Sequence, residues 1–404
     1  MKIYIESHGC SRRKLDVAKF HRYFAVNGYT VVKDPALADE ILITTCAFKY
    51  DEEEESMRAI ENMGKYSARI TIYGCLPAIS PAKYSKYNYD YITPKDINSI
   101  DDHFENITRK FSDIDDENII DGEINYSSLP EAIEKFTSNF EMSIPFFLKS
   151  CRYVKNKYLN RDDNYYLFTS RGCLGNCSYC GVRFAVGSLV SKPLDAVARE
   201  FSKGIQSGYK TYTVIGDDVG GYGHDCGSDF CTLLSTLQHE IDKLPARPLR
   251  ERIGLHVEEI NPRWILRYGN ELVNLFASTN VKSILCPIQS GSPRILGLMN
   301  RNDDMGALMT LLNALKARNI SLELNTQIIV GFPTETEEEF EESLEQLAKV
   351  AFSSVTLFPY DDKENTPSYD MYPKIPEQVK QERIKKAHVF LRSKGIKSAL
   401  CCNE

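Results

Sequence analysis

The sequence predicts an α/β protein built from two parallel-sheet units, a Rossmann-like unit followed by a β/α barrel. Three observations carry that expectation. Strand-like and helix-like stretches alternate along most of the 404 residues, the pattern of parallel strands joined by helical crossovers. About six such repeats follow one another over roughly 200 residues of the second half, enough for a partial or complete barrel. Cys10, Cys46 and Cys75 each fall immediately after a predicted strand, on the sheet edge where parallel sheets bind ligands.

Composition sets the outer bounds. With 42% hydrophobic and 26% charged residues, the chain has ordinary globular composition, enough for two or three domains. No apolar run is long enough to cross a bilayer, and the start "MKIYIESHGC" is not a signal peptide, so a cytoplasmic protein without a membrane partner is expected. A reducing compartment makes the 12 cysteines poor material for disulfides and the clustered ones better read as metal ligands. A net charge of -7 argues against gripping nucleic acid by overall basicity, although "SRRK" (11–14) is a local basic stretch. There is no fixed-period repeat or low-complexity tract.

In order along the chain, "KIYIES" (2–7) alternates apolar and polar residues and reads as a strand. "LDVAKFHRYFAVNG" (15–28) places apolar residues at helical spacing and stops at Asn27-Gly28. "TVV" (30–32), "EILITTCAF" (40–48) and "ARITIYGCLPA" (68–78) are strands, and "DEEEESMRAIENMGKY" (51–66) is a helix whose acidic start suits its positive end. "NYDYITPKD" (88–96) reads as a last strand and loop. The polar stretch beyond it reads as peripheral helix and linker, which gives expected boundaries of 1–125 for the first domain, 126–160 for the linker and 161–404 for the second domain. Cys151 has no ligand pattern around it.

In the second unit, predicted strands begin with 164–173, 211–223, 252–262, 283–292, 321–333 and 353–360, each followed by a helical pattern. Thr334 and Glu337 read as a capping box for the helix after 333. The first strand runs into "SRGCLGNCSYCGV" (170–182), where Cys173, Cys177 and Cys180 form CxxxCxxC. A zinc ribbon needs a second cysteine pair at matching spacing, and Cys226 and Cys231 do not supply it. A four-iron cluster held by three cysteines keeps one iron open, as catalysis at a metal requires. For Cys10, Cys46 and Cys75, buried structural cysteines account for the same positions, while the repeated strand-end placement favours an iron–sulfur cluster or zinc.

With the aromatic Tyr179 before its last cysteine, the motif resembles the radical S-adenosylmethionine (SAM) superfamily. Together with the three N-terminal cysteines the chain resembles the methylthiotransferases, which place a methylthio group on tRNA adenosines or on a ribosomal-protein aspartate. The stretches "SHGCSRRKLD", "ILITTCAF", "IYGCLPA", "SRGCLGNCSYCGV", "IGDDVGGYG", "INPRWI", "PIQSGSPRILGLMNR" and "VGFPTETEEEF" carry the resemblance in order. It implies an N-terminal methylthiotransferase domain and a radical-SAM (β/α)6 partial TIM barrel. It implies two 4Fe-4S clusters and SAM as cofactors. Cys173, Cys177 and Cys180 would hold the radical-SAM cluster, and Cys10, Cys46 and Cys75 the auxiliary one. One SAM would methylate sulfur on the auxiliary cluster and another would generate the 5'-deoxyadenosyl radical. Tyr179, Gly216, Asp217, Asp218, Gln289, Ser290 and Gly331 become candidates for cofactor contacts. A Gly/Asp turn accounts equally for 216–218, and His256 with Glu258 reads as a core polar pair as readily as a catalytic one. No protein side chain is singled out as catalytic, because the chemistry belongs to the cofactors. Cys226, Cys231, Cys286, Cys401 and Cys402 are read as non-ligands.

The chain departs from the family's pattern in places. Arg13, Val17 and Ala18 stand where relatives carry Asn, Ser and Glu, while Asp16 is kept. Val186, Leu189 and Lys192 stand for Arg, Glu and Arg. After the last predicted helix only "IKSALCCNE" follows, where relatives have a small RNA-binding β-barrel. That, with the net charge of -7, leads to the expectation of a peptide or protein acceptor, for example a ribosomally made precursor peptide, with tRNA as runner-up. A low-potential electron donor and a sulfide source are expected partners. Other radical C–H or C–S chemistry, or a non-enzymatic iron–sulfur redox sensor or electron carrier, are the rival readings.

Overall fold

The structure is a computed structural model and describes residues 1–120, 164–301 and 303–400. The expected linker 126–160, Cys151, Cys401 and Cys402 lie outside the described residues.

The first unit runs β1 (Lys2–Glu6), α1 (Ser11–Val26), β2 (Thr30–Val31), β3 (Glu40–Thr45), α2 (Tyr50–Met63), β4 (Arg69–Gly74), the short α3 (Leu76–Ile79) and α4 (Pro81–Tyr84), and β5 (Asp90–Ile92). The sheet is parallel throughout, with order β2-β1-β3-β4-β5. The central strand β3 is buried along its whole length, as a strand covered on both faces must be. One face packs the aromatic set Phe20, Tyr23, Phe24, Phe104 and Phe111. The other packs Ile41, Ile43, Ile60, Ile72 and Ile79, joined by Ala185 from the second unit.

The second unit runs β6 (Asn164–Arg171), α5 (Val182–Val186), β7 (Val190–Ser191), α6 (Leu194–Gln206), β8 (Thr211–Gly216), α7 (Phe230–Asp242), α8 (Arg247–Glu251), β9 (Gly254–Val257), α9 (Pro262–Ser278), β10 (Val281–Leu285), α10 (Pro293–Leu298), α11 (Met305–Arg318), β11 (Glu323–Val330), α12 (Glu337–Leu347), β12 (Ser354–Pro359), α13 (Glu377–Ser393) and β13 (Lys397–Leu400). Six parallel strands, β6 and β8 to β12, form the expected partial barrel. It stays open: β7 pairs antiparallel on one edge and β13 adds a parallel strand on the other. The short, polar "KSAL" of β13 gave no strand signal; pairing with β12 supplies what the sequence lacks.

Alternation sorts the two faces of this sheet. Leu255, Val257, Leu324, Ile328, Val330, Val355 and Leu357 join the core under the helices. The residues that alternate with them are half-buried: polar His256, Glu258, Asn325, Gln327, Ser354 and Thr356, and apolar Ile329 and Phe358 at the strand ends. The concave side of the barrel is therefore a mostly polar lumen. His256 bonds Ser283 across strands (2.7 Å) and Ser354 bonds Asn325 (2.7 Å), so His256 pairs with Ser283 and not with Glu258. The capping box falls two residues later than expected: Thr336 and Glu339 satisfy each other's backbone N–H groups. Thr334 instead sits at φ 69° and accepts from Arg294.

Candidate active site between two cysteine sets

In the first unit, β1, β3 and β4 are adjacent in the sheet, and each ends in one cysteine. Cys10 caps α1, Cys46 follows β3, and Cys75 caps α3. Parallel neighbours put their carboxyl ends on one edge, so three thiols far apart in sequence meet there. They act on one another's ionisation: burial raises Cys46 to about 12 and Cys10 adds to the shift, while the Phe48 N–H opposes it. Burial also raises Cys75, against the pull of Arg13, with both other thiols adding to the rise. Gly74, just before Cys75, has φ 132°, and a Cβ there would lie 2.3 Å from the Thr45 oxygen. The turn that delivers Cys75 therefore needs glycine.

The second set lies in the loop after β6, at the mouth of the barrel. The Gly175 N–H donates to Cys173 Sγ at 3.1 Å. Burial raises Cys180 to about 11, opposed by the N–H groups of Arg183 and Val182. Gly172 has φ 75°, and a Cβ there would lie 2.0 Å from the Ser188 oxygen. Ser178 pins the loop: its N–H bonds the Met299 carbonyl (3.0 Å) and its Oγ the Leu298 carbonyl (2.7 Å).

Each set is three soft sulfurs at a loop edge, and backbone N–H groups already point at some of them. That donor chemistry fits thiolate ligands of an iron–sulfur cluster. Among the described residues no three His, Cys, Asp or Glu side chains are close enough to hold a single metal ion. A polynuclear cluster holds its thiolates farther apart than one ion does. Cys231 and Cys286 are buried in the barrel core, and Cys226 is exposed.

The two sets are joined by the loop after β8. Arg12 donates to the Gly216 carbonyl (2.8 Å) and pairs with Asp217 (3.3 Å). Asp217 also accepts from the Gly172 N–H at 2.8 Å. Asp218 lies 3.6 Å from Cys173 Sγ and is held by Arg263 (2.6 Å) and by Trp264 Nε1 (2.9 Å). The turn 216–218 thus braces one cysteine set against the other. Behind it, Asp16 accepts from Tyr73 (2.6 Å), pairs with Arg13 (3.3 Å) and takes a two-pronged contact from Arg171. The basic stretch 11–14 is therefore no open surface patch: Arg13 is 2% exposed and Arg12 is paired across the interface.

The remaining candidates differ in what they leave free. The Tyr179 hydroxyl accepts from Arg301, which also donates to the Pro287 carbonyl (2.8 Å). Ser290 pairs with Ser343 and the Ser292 N–H. A Cβ on Gly331 would lie 2.5 Å from the Lys380 side chain, so the close neighbour there is protein. Gln289 has φ 69° and a buried Oε1 with no partner among the described residues. Glu258 and Glu259, at the end of β9, have carboxyls raised by burial, with Arg12 opposing. In the sequence Arg12 is marked only as part of the basic stretch 11–14 and Arg13 also as a departure from the family pattern, and Arg171, Arg263 and Arg301 are given no role. The Arg13–Asp16 spacing was the one visible signal; the other partners come from distant segments. Val186 and Leu189 are buried apolar residues, and Lys192 pairs with Asp116 and Glu200.

Comparison with known proteins agrees with this two-part build. Residues 167–347 match the model of the radical SAM superfamily, and residues 2–92 match an uncharacterized protein family, UPF0004. A probable threonylcarbamoyladenosine tRNA methylthiotransferase from Archaeoglobus fulgidus is 27% identical over 98% of this chain and 85% of its own length. The ribosomal protein uS12 methylthiotransferase RimO of Thermosipho africanus is 28% identical over 95% of this chain and 81% of its own. A tRNA-2-methylthio-N(6)-dimethylallyladenosine synthase from Clostridium tetani is 29% identical over 95% and 79%. Among solved structures, the radical S-adenosylmethionine methyltransferase TsrM from Kitasatospora setae shares the fold, with TM-score 0.62 and 13% identity over 91% of this chain and 76% of that one.

Proposed function

We propose that this chain, which matches the radical SAM superfamily over residues 167–347 and is similar along nearly its whole length to methylthiotransferases, places a methylthio group on an adenosine of tRNA at an unactivated C–H position. The observation that carries the reading is the bracing of two three-cysteine sets through Arg12 and the 216–218 turn. In this reading Cys10, Cys46 and Cys75 hold an auxiliary 4Fe-4S cluster, and Cys173, Cys177 and Cys180 hold the SAM-cleaving one. When bound, these clusters and SAM supply a carbon-centred oxidising radical and a methylated sulfur. The chain's own part is placement. Residues 1–125 carry the sulfur site and 161–404 the radical site, joined by 126–160. The polar lumen of the barrel receives SAM, and Gln289, with its unused buried acceptor, is the best placed of the SAM candidates. Asp217 and Asp218 orient the cysteine loop, because their oxygens are already committed to protein donors.

The relatives named above modify tRNA or ribosomal protein uS12. Those names favour tRNA over the peptide acceptor that the sequence suggested. The reading requires a low-potential electron donor and a sulfide source. Among the described residues no helix is long and apolar enough to cross a membrane. The test is incubation of the reconstituted enzyme with SAM, reductant and sulfide, against bulk tRNA and against ribosomal protein. Methylthio-adenosine derivatives in the nucleoside digest are the expected product. A methylthio gain on protein alone ends the tRNA reading, and SAM cleavage without any methylthio product ends the transfer reading.

A further inference from the structure

A second feature lies on the other side of the Cys180 loop. A cleft of 560 Å³ opens between α5 and the segment after β5, so both units line it. Arg183 and Lys95 bring two cations to it. Arg183 stacks on Phe184, with its guanidinium carbon 4.9 Å from the ring centre, and its Nε is buried without a partner. The stem of Lys95 passes close to Gly187, where a Cβ would lie 3.1 Å from it, and its ammonium is exposed. Among the described residues neither cation has a carboxylate partner. That sets them apart from Arg12, Arg13, Arg171, Arg263 and Lys363, all of which are paired. The acid in the cleft, Asp96, accepts from Thr93 Oγ1 at 2.7 Å. The ring of Tyr91, also on the cleft, is 50% exposed.

We propose that this cleft holds the phosphate backbone of a single-stranded stretch of substrate RNA, with Arg183 and Lys95 on phosphates and Tyr91 beside a base. The proposal rests on the tRNA reading above. Unpaired cations beside an exposed aromatic ring, here Tyr91, fit a single-strand RNA site, where rings stack bases and cations follow the backbone. An acidic peptide would use the cations and leave the Tyr91 ring idle. Because the chain carries net -7, overall charge repels RNA, and local unpaired cations must supply the attraction.

The test measures binding of bulk tRNA to the reconstituted enzyme across a salt series, for wild type, Arg183→Gln and Lys95→Gln. Each substitution is expected to weaken binding about tenfold and to reduce the slope of log affinity against log salt by about 0.7, one single-strand phosphate. Iron content reports whether each variant folds. Lys95 is an exposed residue of the other unit, so it carries the test if Arg183→Gln does not fold. Unchanged affinity and slope in both variants, with wild type still modifying tRNA, overturns the cleft and leaves the tRNA reading standing. Wild type that neither binds nor modifies tRNA but binds an acidic peptide, with that binding weakened in Arg183→Gln and Lys95→Gln, overturns both.

Discussion

The two cysteine sets reach the same edge of the molecule by opposite routes. Cys173, Cys177 and Cys180 share one loop, and their proximity follows from spacing alone. Cys10, Cys46 and Cys75 lie on three strands and meet only because β1, β3 and β4 pair in parallel. The second set is thus nearly a local property, while the first depends on a folded sheet. Perturbing the sheet or its supports should therefore empty the first site before the second.

The largest expected effect separates the sets directly. Replacing Cys10, Cys46 and Cys75 by Ala, or Cys173, Cys177 and Cys180 by Ala, should remove half of the bound iron in each case and abolish methylthio transfer. Only the second triple should also stop release of 5'-deoxyadenosine. Iron assay and product chromatography check this, and full iron in either triple breaks the pairing of cysteines with clusters.

Next comes the support behind the interface. Asp16→Ala leaves the buried Arg13 and the half-buried Arg171 around a missing carboxylate. Stripping one member from a buried ionic group costs about 3–5 kcal/mol, which urea denaturation would measure. The first cluster should be the one lost, because Arg13 neighbours its thiols. Equal loss from both sites would mean that the interface, not the sheet edge, is the common support.

A sharper contrast uses the glycines before the cysteines. Gly74→Ala and Gly172→Ala each force a Cβ into a carbonyl at positive φ, with an expected cost above about 1 kcal/mol. The first should deplete the auxiliary site and the second the radical-SAM site. Selective EPR loss is the readout, and depletion of both by either variant would show that the sites are not independent.

The smallest effect is on the joint between the units. Asp116 bridges Lys19 of the first unit (2.7 Å) and Lys192 of the second (2.7 Å). Burial would raise its carboxyl, but Lys192 and Lys19 outweigh that and hold it below the usual value of 3.8. A depressed acid stabilises the fold above its unfolded pKa, and the contribution is lost as pH falls through the folded one. Asp116→Asn should therefore lower stability by about 1 kcal/mol at pH 7. The gap should close below the ordinary carboxylate range, as melting curves at a series of pH values would show. A gap independent of pH would assign the effect to packing.

Much of this was legible in advance because it is periodic or local. The βα alternation, the burial of "EILITT" and the loop set of cysteines need only short stretches to declare themselves. The strand-end position of Cys10, Cys46 and Cys75 was also readable, because parallel topology fixes which edge a strand end faces. Other features depend on segments far apart. Arg12 looks like part of a basic patch until it meets Asp217, about 200 residues away. Asp217 and Asp218 look like a turn until Gly172 and Trp264 donate to them. The unpaired state of Arg183 and Lys95 is visible only once carboxylates from the rest of the described chain are seen to be elsewhere.

By itself the sequence determined the two sheets, the two incomplete cysteine sets and the family they point to, since hydrophobic period and residue spacing act within a few turns of chain. Tertiary structure alone decided which charges are paired, how the two sets are braced, and where free cations meet an open ring. Those are outcomes of long-range Coulomb and packing contacts, and such contacts have no spacing in the sequence to reveal them.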